Sequence, residues 1–194
     1  MTQNYWCIVS ESKICRFCAW ACIILVFAAF VGGLIVLIVF PYAKFAIADA
    51  NMTRFELDSS QTSLFYNLNF TMKIHKYFKA DYRDMEVDCY YNNKKFDSRK
   101  LGDLKLKVRR TRLLNLSSNG NSTIDLGSNG VDAFKRSNET GFFDLEIRLI
   151  GKRITYDDDG DYVKKLSYQC RLRLELVKSH NSTTQRNFKP VKCH

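Results

Sequence analysis

The 194-residue chain holds only three histidines, His75, His180 and His194. None of them stands in a His-Glu-x-x-His zinc pattern. It has no Gly-x-Ser-x-Gly elbow and no glycine-rich loop of the kind that cradles phosphates, so the common hydrolase and nucleotide-binding signatures are excluded. No internal repeat and no long low-complexity tract appears. Acid is the scarcer charge, with 20 Asp and Glu against 30 Lys and Arg and a formal net charge of +10. The run Asp157, Asp158, Asp159, Gly160, Asp161 fails as an EF-hand loop. Aligning Gly160 with the loop's glycine puts Thr155 and Leu166 at positions that must supply oxygen ligands. It reads as a solvated hairpin turn. No catalytic, metal or cofactor role falls on any residue, and the expectation is a protein that is not an enzyme.

Charge is absent altogether from Ala19 to Phe40, AWACIILVFAAFVGGLIVLIVF. About 22 residues at ~1.5 Å rise span roughly 33 Å, which matches a hydrocarbon core of about 30 Å. Trp20 and Tyr42 flank the run where interfacial aromatics belong, and Pro41 ends it. The run is longer than the ~7–15 apolar residues of a cleaved signal peptide, so it reads as an uncleaved signal anchor. Three segments follow: a cytosolic piece at 1–18, a transmembrane helix at 19–40, and a domain at 41–194.

Basic residues give no direction for the anchor, because Lys13 and Arg16 stand on one side and Lys44 and Arg54 on the other. Sequons do. Asn-x-Ser/Thr occurs at Asn51, Asn69, Asn115, Asn121, Asn138 and Asn181, where composition alone would give about two. All follow the helix, so the N-terminus is expected in the cytosol and the C-terminal part outside, as a type II single-pass glycoprotein. Cysteines divide the same way. Cys7, Cys15 and Cys18 are candidates for S-palmitoylation beside a membrane. Cys89, Cys170 and Cys193 lie on the oxidising side. Parity allows Cys89–Cys170 across two sheets or Cys170–Cys193 at the tail, and does not choose.

Downstream of the anchor the apolar period is two. Leu64, Tyr66, Leu68, Phe70, Met72 and Ile74 alternate with polar residues, which marks a half-buried strand with Asn69 on its solvent face. Met85–Tyr91, Leu104–Val108, Phe143–Leu149 and Leu166–Leu176 repeat the pattern, and Phe45–Leu57 reads as extended. YNNKK, SSNGNS, GSNG and YDDDGD read as turns between them. No segment of similar length shows helical periodicity, and Asn115–Asn138 reads as an exposed, glycosylated loop. The fold class is mainly β, an antiparallel immunoglobulin/fibronectin III-like β-sandwich preceded by one transmembrane α-helix. The densest basic patch is Lys105, Lys107, Arg109, Arg110 and Arg112. On a strand Lys105, Lys107 and Arg109 share one face, suited to acidic cell-wall polysaccharide or lipid headgroups. Nucleic acid is excluded as a partner for a domain outside the cytosol.

The short cysteine-bearing N-terminus, the single helix, DANMTRFEL and LFYNLNFTMKI together resemble the plant harpin-induced-like and non-race-specific disease resistance-like proteins. YRDMEVDCYYNNKKF, FFDLEIRLIGKR, YQCRLRLEL and the terminal FKPVKC match in the same order, over essentially the whole chain. That family's outer domain is the group 2 late embryogenesis abundant (water stress and hypersensitive response) domain. The chain departs from the family where an Asn-Pro-Asn is usual and IHKYFKADY stands instead. The resemblance implies a plasma-membrane protein of plant defence or stress response, without catalysis, that presents its domain at the cell surface for partner binding. It also implies a disulfide between Cys170 and Cys193, leaving Cys89 a free thiol. A protein that holds an acyl chain or sterol between its sheets is the alternative.

Overall fold

The computed structural model describes residues 13–39, 43–157, 160–177 and 188–194 and, within its first helix, the side chains of residues 20–34. The chain forms two compact units that divide between Pro41 and Tyr42.

The first unit contains α1, Lys13–Val39, of 27 residues. Its described side chains include Trp20, Ile23, Leu25, Val26, Phe27 and Phe30, all exposed. Among the described residues no helix is long and apolar enough to cross a membrane. The helix begins several residues before the expected span and takes in Cys15 and Cys18. Cys7 lies outside the described residues.

Among its described residues the second unit has eight strands and one helix. The strands are β1 Ala43–Leu57, β2 Ser63–Lys76, β3 Asp81–Tyr91, β4 Lys94–Leu104, β5 Thr111–Thr123, β6 Phe142–Asp157, β7 Gly160–Glu175 and β8 Val191–Lys192; α2, Gly127–Thr140, lies between β5 and β6. Two four-stranded sheets form, ordered β5-β2-β1-β8 and β4-β3-β6-β7. Every pairing within them is antiparallel.

Period-two alternation explains the core. All six apolar residues of the β2 pattern, Leu64 to Ile74, are buried, because a half-buried strand sends every second side chain inward. One core joins the two sheets. Phe55 of β1 lies 4.9 Å from Phe143 of β6, and Tyr66 of β2 lies 4.9 Å from Phe96 of β4. Near the start of β1, Phe45 meets Tyr168 of β7 at 4.4 Å. Asn92 and Asn93 turn β3 into β4 with φ of 47° and 61°, the left-handed pair that a two-residue hairpin demands and asparagine tolerates.

Three expectations are corrected. SSNGNS is not a turn; it lies inside β5, with Asn119 opposite Asn67 and Asn121 opposite Phe65. Thirteen paired positions along β2 outweigh the turn preference of Ser, Asn and Gly. GSNG is not a turn either, since it opens α2, and Asn115–Asn138 is therefore a strand and a helix rather than a loop. The helix turns Phe134 into the core, and Gly141 with φ 74° ends it. Gly130 leaves no room for a Cβ there, which would stand 2.8 Å from Leu126 Cβ. Finally, Leu104–Val108 is not a strand. β4 stops at Leu104 and β5 begins at Thr111.

Cys89 and Cys170 both face inward from the second sheet, each opposite Ile147 of β6. They stand two strand spacings apart, about 9.6 Å, beyond the reach of a disulfide. Cys170 is bonded to Cys193 instead. The bond brings β8 from the edge of β1 towards β7. Cys193 N donates to Phe45 O at 3.0 Å, and His194 and Gln169 exchange backbone hydrogen bonds.

Candidate functional site

Lys105, Lys107 and Arg109 lie on the loop from β4 to β5, all exposed. They do not form one face of a strand. The loop is held from inside. Leu106 packs against the core, and its carbonyl accepts from Lys76 Nζ at 3.0 Å. Arg109 N donates to Lys76 O at 2.8 Å, and Lys76 N donates to Arg110 O at 3.4 Å. Arg112 Nη1 donates to Lys105 O at 3.1 Å. Arg109 adopts φ 56°, a left-handed conformation unfavourable for a long side chain and kept only where neighbours impose it. Lys76, though charged, is only 4% exposed. Burial pulls its ammonium below the ordinary lysine range, while Asp81 opposes that shift. Lys76 therefore acts as a strut beneath the basic loop.

Apolar side chains stand among these cations. Val108 on the same loop is 42% exposed, Phe78 on the β2–β3 loop 38%, and Leu113 at the start of β5 59%. The β6–β7 hairpin ends at the same end of the domain, since Asp81 pairs with Ile154 and Tyr82 with Leu104. It exposes Tyr156, Asp161, Tyr162 and Val163. Tyr156 Oη donates to Asp81 Oδ2 at 2.7 Å. β4 and β7 are opposite edges of the second sheet, so the β4–β5 loop and the β7 arm of this hairpin stand three strand spacings apart, about 14 Å, while the β6 arm reaches Asp81 beside the β2–β3 loop.

The described sequon asparagines, Asn51, Asn69, Asn115, Asn121 and Asn138, are all exposed. Asn51 pairs with Asn69, Asn115 with Thr71 and Asn121 with Phe65. Four of the five thus share the outer face of the first sheet, and Asn138 lies on α2. Asn181 lies outside the described residues.

A buried polar cluster joins the sheets and was not legible in the sequence. Ser118 Oγ of β5 donates to Asp97 Oδ2 of β4. Burial pushes the Cys89 thiol up to about 12, with the Asp97 charge adding to it and Ser118 opposing. Tyr66 is likewise pushed up to about 12, by burial first and then by Asp97. A thiol so far from ionising is no nucleophile at neutral pH, and the cluster reads as inter-sheet bonding. Among the described residues no group of three or more His, Cys, Asp or Glu could hold a metal ion.

What these features define is a two-sheet antiparallel β domain, closed by the Cys170–Cys193 disulfide and preceded in the chain by an apolar helix. No family model matches the chain. The Arabidopsis thaliana NDR1/HIN1-like protein 10 is 28% identical over 163 residues, covering 81% of this chain and 72% of its own. NDR1/HIN1-like protein 2 from the same plant is 26% identical over 157 residues, 77% of this chain and 64%, just under two thirds, of its own. Among solved structures, one described as a late embryogenesis abundant (LEA) protein is similar at 11% identity and a TM-score of 0.36, over 83% of this chain and 88% of its own. A second, from Arabidopsis thaliana, is similar at 12% identity and 0.34, over 72% and 86%. Likeness at these scores adds nothing to what the strands themselves show. The two curated relatives bear out the resemblance drawn from the sequence: this chain is a relative of the harpin-induced-like, NDR1/HIN1-like proteins.

Proposed function

We propose that this protein is a membrane-anchored, non-enzymatic component of plant defence or stress response that presents a glycosylated domain at the plasma membrane. In this reading residues 19–40 of α1 and just beyond are a type II signal anchor, with the N-terminus in the cytosol. The two sheets are a sandwich of immunoglobulin/fibronectin III kind. The observation that carries the proposal is the placing of sequons: every described one is exposed, and four share one sheet face. Glycans need solvent-facing asparagines, and the chain offers them together after the apolar run. The uncharged run Ala19–Phe40 and the exposed apolar side chains of α1 support the anchor. Rings of Phe45, Phe55, Phe96, Phe143 and Tyr168 occupy the space between the sheets. That filling favours a presenter over a carrier of an acyl chain or sterol.

The test is topology. Glycosidase treatment of the protein from plant microsomes should raise its mobility, and protease added to sealed vesicles should leave the domain intact. An unshifted band, with the domain digested in sealed vesicles, would overturn the proposal.

A further inference from the structure

We infer that the corner built by the β4–β5 and β2–β3 loops docks on a phospholipid surface of net negative charge. This deepens the anchored reading and rests on it. Lys79, Lys105, Lys107, Arg109, Arg110 and Arg112 supply cations at this corner, and all six are exposed. Val108, Phe78 and Leu113 stand exposed between them. A soluble polyanion needs only the cations. A bilayer offers anionic headgroups above an apolar layer, and cations interleaved with apolar tips match both. The loop is also shaped in advance: Lys76 braces it by backbone bonds at both Arg109 and Arg110 and by its ammonium at Leu106. Little ordering remains to oppose binding. The chain supplies a short tether, since Ala43, which opens β1, follows Val39 of α1 by four positions in sequence.

The opposite corner sharpens the inference. The β6–β7 hairpin exposes Asp161, and an anionic surface repels that carboxylate. The domain should therefore lean on the basic corner with the tip of the hairpin lifted.

Hydrogen exchange on the full chain in nanodiscs tests this. In discs containing phosphatidylserine, amides of residues 77–80 and 105–113 should exchange more slowly than in phosphatidylcholine discs, on the order of tenfold. Residues 160–163 should be unchanged. The protection should vanish in 1 M salt, a condition that needs no variant. Lys105→Glu with Lys107→Glu should abolish it, and Val108→Ser should weaken it at unchanged charge. Equal exchange in both discs overturns the inference, as does equal protection of the hairpin. Protection by added polygalacturonate and not by phosphatidylserine would assign the corner to a polysaccharide and also overturn it. The anchor is read separately, by retention of the chain in neutral vesicles through an alkaline wash. Loss there fails the anchored reading; retention with an unprotected corner fails only the inference.

Discussion

On the outer face of the first sheet stand Asn51, Asn67, Asn69, Thr71, Asn115 and Asn121; on that of the second stand Glu86, Asp88, Glu146, Arg148, Lys152 and Arg171. Both faces belong to four-stranded antiparallel sheets over the same core. The inner faces are therefore nearly interchangeable in chemistry, while the outer ones differ at almost every position. The first is rich in amides and hydroxyls, with sequons on three strands, and carries fewer charges, among them Lys44, Lys73 and the Arg54–Glu56 pair. The second pairs its charges, twice across strands and once along β6. Lys95 lies 3.6 Å from Asp88, Lys152 lies 2.8 Å from Asp84, and Arg148 bridges to Glu146 while stacking 4.1 Å over Tyr90. Burial constrains only the inside, so the difference outside reflects use. One face can carry sugar, and the other neutralises itself.

The shared core is the part of this comparison most easily broken. Phe55 is fully buried and meets Tyr91, Phe96, Phe134 and Phe143. Phe55→Ala should cost about 3–5 kcal/mol. Urea unfolding in mild detergent, followed by near-ultraviolet circular dichroism, should show one transition shifted to lower urea. Two transitions, with only the first sheet weakened, would mean that the sheets do not share a core.

The disulfide comes next. Cys170–Cys193 closes a loop with a sequence separation of 23, for which chain entropy gives about 3 kcal/mol. Replacing both by Ala should lower the unfolding midpoint and speed exchange at Cys193 and His194, whose amides bond to Phe45 and Gln169. Unchanged exchange at those amides would show that β8 holds its place without the bond.

Removing Arg148 tests the charged face. Its guanidinium pairs with Glu146 and covers the Tyr90 ring. A partly buried pair with one aromatic contact contributes about 1 kcal/mol. Arg148→Ala should lower stability by that amount in low salt and by less in high salt. A loss as large as that of Phe55→Ala would show that the second face is structural rather than merely solvated.

How far these faces could be read from the sequence depends on the strand. In β2, whose every second residue is buried, the alternation was plain and survived intact. β5 was hidden because edge position lets Ser, Asn and Gly fill it, and only the ladder with β2 shows why they are extended. α2 was hidden because few of its residues turn inward, Gly130 and Phe134 among them, too few to print a helical period. At Leu104, Leu106 and Val108 the period is present but the ladder is not: the loop bends at Arg109 to bond Lys76, 33 residues earlier. Contacts between such distant positions leave no local pattern. The cysteine pairing likewise came from resemblance, since alternation placed Cys89 and Cys170 on inward faces without saying which sheet each belonged to.

The smallest expected effect separates two carboxylates, one at each sheet. Asp58, in the β1–β2 turn, lies below the ordinary carboxylate range chiefly through the Ser60 hydroxyl and then the Ser63 amide. Thr62 N and Ser63 N donate to its Oδ1 at 2.9 and 3.0 Å. Asp84, at the bulge in β3, is lowered chiefly by the hydrogen bond from Lys152 and by that ammonium's charge. Both values are depressed on folding, so each carboxylate favours the folded state above the ordinary carboxylate range. That favour fades as pH falls through the folded value. Their causes predict different salt responses. At about 1 M salt the screening length is near 3 Å, which weakens a charge partner and leaves neutral donors almost untouched. Carboxyl carbon titration by NMR in low and high salt should move Asp84 upward and leave Asp58 in place. Equal movement of the two would mean that the Asp58 turn, like the second sheet's face, is governed by net charge rather than by its hydroxyl and amide donors.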